Sequence, residues 1–221
     1  MLAPIAGVSW SIVSMLYFTH QIAYENIGYY NDTSLVLMKE HTTRTDYLQY
    51  DETSTEKHEF YDGQIFAMSG GTFNHSTIGL NIATVLRNQL RGKPCQPMNS
   101  DMRVHTPSGL DTYPDISVFC DEPELTDNDR TLHNPVVIVE VLSPSTRSYD
   151  RGDKFWHYRS ILSLQDYLLI DSELVYIEHH HRQNKDEWLL HEYRDLSESI
   201  TLESVGLTLL LQSFYDDARL K

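Results

Sequence analysis

The sequence predicts an α/β protein, a mixed sheet flanked by helices. Three features carry that reading. Residues 136–142, Val136-Val137-Ile138-Val139-Glu140-Val141-Leu142, form a nearly continuous β-branched run. Such a run fills a central strand buried on both faces. Ile78, Ile82, Val85, Leu86 and Leu90 recur at the i, i+4, i+7 spacing of one helical face. Asp62-Gly63 stands between two apolar runs, the strongest short-range sign of a β-hairpin.

The remaining elements follow in chain order. Thr42 or Thr43 caps a short helix through Tyr47, Leu48 and Tyr50. His58–Tyr61 and Gln64–Met68 are the hairpin strands. Ser69-Gly70-Gly71-Thr72 is a turn, and a helix runs from about Asn74 to Arg91 until Gly92 and Pro94 stop it. Met98–Thr106 alternates like a single strand and ends at Pro107-Ser108-Gly109. Asp115–Cys120 is a short strand behind Pro114. Residues 121–129 hold five acids in nine and read as a solvated loop. Pro135–Leu142 is the central strand, followed by a helix over about Ser148–Arg159. Asp166–Asp171, Leu174–His181 and Glu187–Tyr193 are three further strands.

A chain of 221 residues suits one domain, with or without an appendage, and is long enough to bury a core without staples. Residues 1–37 contain no Lys or Arg and two acids, Glu25 and Asp32. They are expected to be an extension upstream of a domain over residues 38–221, with Met38 as a candidate start. An N-terminal helix on the domain and a membrane anchor are the rival readings, but Pro4, Gly7 and several serines dilute the stretch as a span. Two cysteines, Cys95 and Cys120, are too few for a disulfide framework or a four-thiolate metal site. They are expected to be inert core thiols in a reducing cytoplasm. Seventeen basic against 32 acidic residues give a net charge of −15. That charge repels a phosphate backbone unless a basic patch or a bound cation intervenes.

Glu140 is the odd residue of the central strand. A buried carboxylate costs several kcal/mol unless it is paired or bound to a metal. Asp115, behind Tyr113-Pro114, opens the preceding strand with a second acid. Two such carboxylates on neighbouring strands suit Mg²⁺ or Mn²⁺, which prefer hard oxygen ligands. Arg147, Arg151, Lys154 and Tyr158 recur at spacings of four, three and four, a basic helical stripe able to meet phosphate. Asp150 and Lys154 are also an ordinary i, i+4 ion pair, so spacing alone leaves both readings open.

Pro114-Asp115, then Val139-Glu140-Val141-Leu142-Ser143-Pro144-Ser145-Thr146, then Asp150 and Lys154, resemble the Uma-two family of bacterial endonuclease-like proteins. That family belongs to the PD-(D/E)XK, restriction-endonuclease-like superfamily. The resemblance runs from about Tyr47 to Tyr215. It includes Glu59-Phe60-Tyr61-Asp62-Gly63, Asn74-His75, Ser100-Asp101-Met102-Arg103 and Lys154-Phe155-Trp156-His157-Tyr158. It implies an α-β-β-β-α-β core and Mg²⁺-dependent (or Mn²⁺-dependent) hydrolysis of DNA. Asp115 and Glu140 correspond to the metal ligands, with Glu59 as a further acid at the metal. The superfamily lysine should stand two residues after the glutamate, where this chain has Leu142. Lys154 is the counterpart migrated to the following helix.

Arg147, Arg151, His75 and Tyr158 are candidate substrate contacts. For His75, a structural role near the apolar helix face is the competing reading. Asp101 and Arg103 are expected to pair with each other. His179-His180-His181 is expected to be an exposed edge strand rather than a metal site, because the sequence puts no Cys or acid at a zinc spacing. Ser143 sits in ordinary Ser-Pro-Ser turn chemistry. By analogy with like-folded nucleases, a homodimer is expected. The rivals are a non-catalytic interaction protein that keeps the fold, favoured by Leu142 and the net charge, and a glycosidase using the two carboxylates.

Overall fold

The computed structural model describes residues 42–221. The extension over residues 1–37 and the domain boundary at residue 38 lie outside the described residues. Helix α1 (Arg44–Thr53) starts at a capping box: the Thr43 hydroxyl accepts from the Asp46 amide, and the Asp46 carboxylate accepts from the Thr43 amide. Strands β1 (His58–Tyr61) and β2 (Gln64–Ala67) form the predicted hairpin. Asp62 and Gly63 both turn at positive φ, 47° and 75°, the pair of conformations that Asp-Gly tolerates best. Helix α2 (Phe73–Gln89) is capped by Thr72 and buries Ile78, Ile82 and Leu86.

Next come β3 (Cys95–Asn99), β4 (Arg103–His105), β5 (Asp111–Thr112), β6 (Ile116–Cys120), β7 (Leu125–Thr126), β8 (Thr131–Leu132), β9 (Val137–Leu142) and, after a helix, β10 (Asp166–Asp171). That helix, α3, opens as an α turn at Arg147–Tyr149, widens into a π turn at Asp150–Lys154 and closes as an α turn at Phe155–Tyr158. Then come β11 (Ile177–Arg182), β12 (Trp188–Tyr193), the hairpin β13 (Ser199–Leu202) and β14 (Leu207–Leu210), and a closing turn of helix, α4 (Gln212–Tyr215).

The main sheet has the order β12-β11-β10-β9-β6-β3. β9 and β10 run parallel and the other neighbours antiparallel, so the sheet is mixed. A second sheet has the order β2-β1-β5-β4-β8-β7. The six residues of β9 are all buried, as a central strand requires. Their side chains alternate between two cores. Val137, Val139 and Val141 join Leu168 and Ile170 against residues of α2, the β13–β14 hairpin and α4. Ile138 and Leu142 join Tyr158, Tyr167 and Leu169 on the α3 side. Glu140 shares the parity of Ile138 and Leu142, so it points toward α3. Among the described residues no helix is long and apolar enough to cross a membrane.

Five expectations change. Met98–Thr106 is not one strand: the chain turns at residues 100–102 and delivers β3 and β4 to different sheets. The Asn99 side chain accepts from the Asp101 amide and the Asn99 carbonyl from the Met102 amide, which drives that turn. Asp101 and Arg103 do not pair with each other: Asp101 pairs with Lys57 at 2.8 Å and Arg103 with Asp51 at 2.7 Å. Cys95 and Cys120 are not free thiols: they face each other in the β3–β6 register and form a disulfide. β11 is not an edge strand, since β12 covers it, and His179 is buried. The acidic loop also contains the short strand β7. The β13–β14 hairpin and α4 add elements that the sequence pattern did not resolve.

Candidate active site

Four elements bring the expected acids and Lys154 together. Asp115 precedes β6, Glu140 lies mid-β9, Glu59 sits on β1, and Asp150 and Lys154 bound the π turn of α3. Antiparallel pairing of β6 with β9 puts Ile116 opposite Val139, so Asp115 lands beside Glu140. The Asp115 amide donates to Glu140 Oε2 at 3.3 Å, and the Val141 amide donates to Asp115 Oδ2 at 2.8 Å. The two acids are thus locked to each other's strands by backbone hydrogen bonds.

Lys154 enters this group from α3. Its Nζ lies 3.0 Å from Glu140 Oε1, 3.2 Å from Glu59 Oε1 and 3.6 Å from Asp150 Oδ1. Lys154 is 4% exposed, so this is not a solvated helix pair. Asp150 and Lys154 bound the π turn, and both are buried. Tyr158, wholly buried, donates to Glu140 Oε1 at 2.8 Å. Glu59 has both oxygens engaged: Oε1 accepts from the Thr112 hydroxyl and Oε2 from the Tyr149 hydroxyl. His75, near the start of α2, places Nε2 3.2 Å from Asp115 Oδ2.

The rest of the basic stripe diverges. Arg147 stands 3.4 Å from Asp171 and 3.6 Å from Glu173. Arg151 donates to Glu178 at 2.7 Å. Regular helical spacing would align Arg147, Arg151, Lys154 and Tyr158, and the π turn breaks that alignment. Leu142 is wholly buried in the α3-side core, so no cation can reach the cleft from the strand position.

Electrostatics follow from crowding. Glu59, Glu140, Asp150 and Asp115 share one ammonium and one imidazole among the described residues. Burial pushes the Glu140 carboxyl up to about 8, against the pull of Lys154, and nearby Asp115 and Asp150 push the same way. Burial likewise raises the carboxyl of Asp150. Burial alone would lower the Lys154 ammonium, but Glu140, Glu59 and Asp150 hold it well above the usual lysine range. For His75 burial also works downward, and Asp115 overrides it and raises the imidazole. Carboxyls crowded in this way are satisfied either by protons or by a bound cation.

The donor set fits a hard one. Asp115 Oδ1 makes no hydrogen bond with a described residue, and Glu140 Oε2 accepts one at 3.3 Å. Both atoms are carboxylate oxygens, the chemistry that Mg²⁺ and Mn²⁺ prefer. Asp150, Tyr149 and Thr112 complete the cluster. The sequence offered Asp150 as an i, i+4 partner of Lys154, and nothing in it linked Tyr149 or Thr112 to Glu59, which lies far off in the chain.

A family model described as "Putative restriction endonuclease" (Uma2) matches residues 44–212. Two proteins of Synechocystis sp., both described as uncharacterized, are relatives. One is 42% identical over 171 residues, covering 77% of this chain and 89% of the relative. The other is 38% identical over 152 residues, covering 68% and 86%. The fold is similar to the crystal structure of a protein from Anabaena variabilis, titled a putative nuclease belonging to DUF820. The TM-score is 0.62 at 18% identity, covering 74% of this chain and 92% of that one.

Proposed function

Because this chain belongs to the Uma2 family of restriction-endonuclease-like proteins, we propose that it is an endonuclease that hydrolyses DNA phosphodiester bonds with Mg²⁺ or Mn²⁺. The single observation that supports this most is Lys154 Nζ lying 3.0 Å from Glu140 inside a buried surplus of carboxylates. It supports reading Lys154 as the cation that the family resemblance expects, although the strand position carries Leu142.

Asp115 and Glu140 would hold the metal ion through their carboxylate oxygens. The bound ion supplies an acidified water and neutralises charge on the phosphodiester. Lys154 stabilises negative charge as it grows on the phosphate oxygens. Glu59, held by Thr112 and Tyr149, positions the ammonium rather than adding a ligand, since its oxygens are already engaged. Tyr158 fixes the Glu140 rotamer from the core side. His75 orients Asp115. Arg147 and Arg151, expected as phosphate contacts, are instead paired with Asp171, Glu173 and Glu178, so they have no direct part in this reading.

The rival reading, a non-catalytic interaction protein, draws on Leu142 and the −15 net charge. The two separate in one assay: supercoiled and linear DNA, single-stranded DNA and RNA, incubated with Mg²⁺, Mn²⁺ or EDTA. The nuclease reading expects metal-dependent cleavage of DNA that Asp115→Asn and Glu140→Gln abolish. Metal binding without cleavage of any substrate supports the interaction protein.

A further inference from the structure

We propose that Asp166, His179 and His181 form a second metal site, for one divalent transition-metal ion of the Zn²⁺ type, on the sheet face opposite Glu140. Asp166 opens β10 and lies directly across from His181 of β11. His179 and His181 are two apart on one strand, so both imidazoles leave the same face. His179 Nε2 and His181 Nδ1 each lie 2.7 Å from one oxygen, Asp166 Oδ1. One ligand atom from each of the three residues lies within 4.8 Å of the others. Side chains that converge like this need little rearrangement. A tetrahedral ion with bonds of about 2.0–2.1 Å holds its ligands about 3.3 Å apart, so the imidazoles retreat by about half an ångström.

Three further observations point to a cation. Asp166 is fully buried, and among the described residues its charged partners are these two histidines, with no Lys or Arg. Neutral imidazoles leave that carboxylate uncompensated, whereas a dication held by two imidazoles and a carboxylate balances it. Ser204, from the turn between β13 and β14, donates to Asp166 Oδ2 and so turns the other oxygen toward the imidazoles. Outer hydrogen bonds that aim a carboxylate ligand are typical of metal sites. His181 is partly exposed at 29%, which gives the ion an entry path and leaves room for a water ligand. The donor set of two nitrogens and one oxygen selects a borderline ion, in contrast to the all-oxygen cleft around Asp115 and Glu140. His180, between the two, points to the other face and packs against Phe155.

This site does not depend on the nuclease reading. The test uses the full chain, stripped of metal with chelator and then titrated with Zn²⁺ and separately with Co²⁺. Excess Mg²⁺ is present to fill the oxygen-only cleft. The expected result is one tight equivalent per chain and Co²⁺ absorption of four- or five-coordinate intensity. His181→Ala, at the partly exposed ligand, should weaken that equivalent by about 100-fold or more, and Ser204→Ala by about 10-fold. If His179→Ala fails to fold, His181→Ala still decides. Absence of saturable binding overturns the proposal, and so does a tight equivalent that His181→Ala leaves unchanged. In either case the three side chains are a hydrogen-bonded group only.

Discussion

Lys154 is the residue on which the proposed chemistry turns. Read as a surface helix pair with Asp150, it would contribute about 0.3–0.5 kcal/mol. Buried among Glu140, Glu59 and Asp150, it is instead the counter-charge of the cleft. Lys154→Ala should therefore lower metal-dependent cleavage by about 100-fold or more. It should also cost about 3–5 kcal/mol of stability, because it leaves buried acids unpaired. Activity per folded molecule, measured beside urea unfolding, separates the two effects. Glu140 gives a second prediction. Its folded-state carboxyl is raised from 4.5 to about 8. The folded form therefore holds this proton more tightly than the unfolded chain. The associated stability is fully present below about pH 4.5 and is lost as pH rises through about 8. Metal-free protein should melt at lower temperature at pH 9 than at pH 6, and Glu140→Gln should flatten that decline. Added Mg²⁺ should oppose the decline in the parent and have little effect on the variant. An unchanged slope in Glu140→Gln would remove Glu140 as its source.

At the scale of elements, the long periodic segments were legible in the sequence and the short ones were not. The β9 run, the α2 stripe and the Asp62-Gly63 hairpin carry unambiguous periods, and each stands within a residue or two of its expected place. Strands of two residues, such as β5 and β8, have no period to detect. The π turn of α3 was invisible for the same reason. Its signature is a fan of side-chain directions, so an ideal helix wrongly aligned Arg147 and Arg151 with Lys154. The candidate acids were legible because a carboxylate inside an apolar strand is anomalous. The hydroxyls of Tyr149 and Thr112 were not, because long-range contacts set them. The Asp166–His179–His181 group was missed because its acid comes from the neighbouring strand. Gly79 tests the α2 account. It sits mid-helix with nothing within 4 Å of an added Cβ. Gly79→Ala should stabilise by about 0.8–1.0 kcal/mol. That is roughly 2–4 °C in Tm for a chain of this size. A drop in Tm would show that the position is not a relaxed helix interior.

At the scale of the whole molecule, the disulfide and the charge shape behaviour. Cys95 and Cys120 are 25 residues apart and join β3 to β6, the strand that follows Asp115. Closing a loop of that length stabilises by about 3.5 kcal/mol in the chain-entropy view. Reductant should lower the Tm of the parent protein and leave Cys95→Ser/Cys120→Ser unaffected. Equal melting of the parent with and without reductant would contradict this. The net charge of −15 works against DNA over most of the surface. On the proposed reading, productive contact is therefore confined to the cleft where Lys154 and the metal-binding carboxylates meet. Cleavage should depend steeply on divalent metal.

The most direct test of the account is a plasmid-nicking assay on purified full-length protein, comparing the parent, Asp115→Asn and Glu140→Gln in Mg²⁺, Mn²⁺ and EDTA. The account predicts nicking by the parent with either metal, none in EDTA, and a loss of about 100-fold or more in both variants. Cleavage that persists in EDTA, or in both variants, or its absence from a parent protein with metal bound, would contradict it.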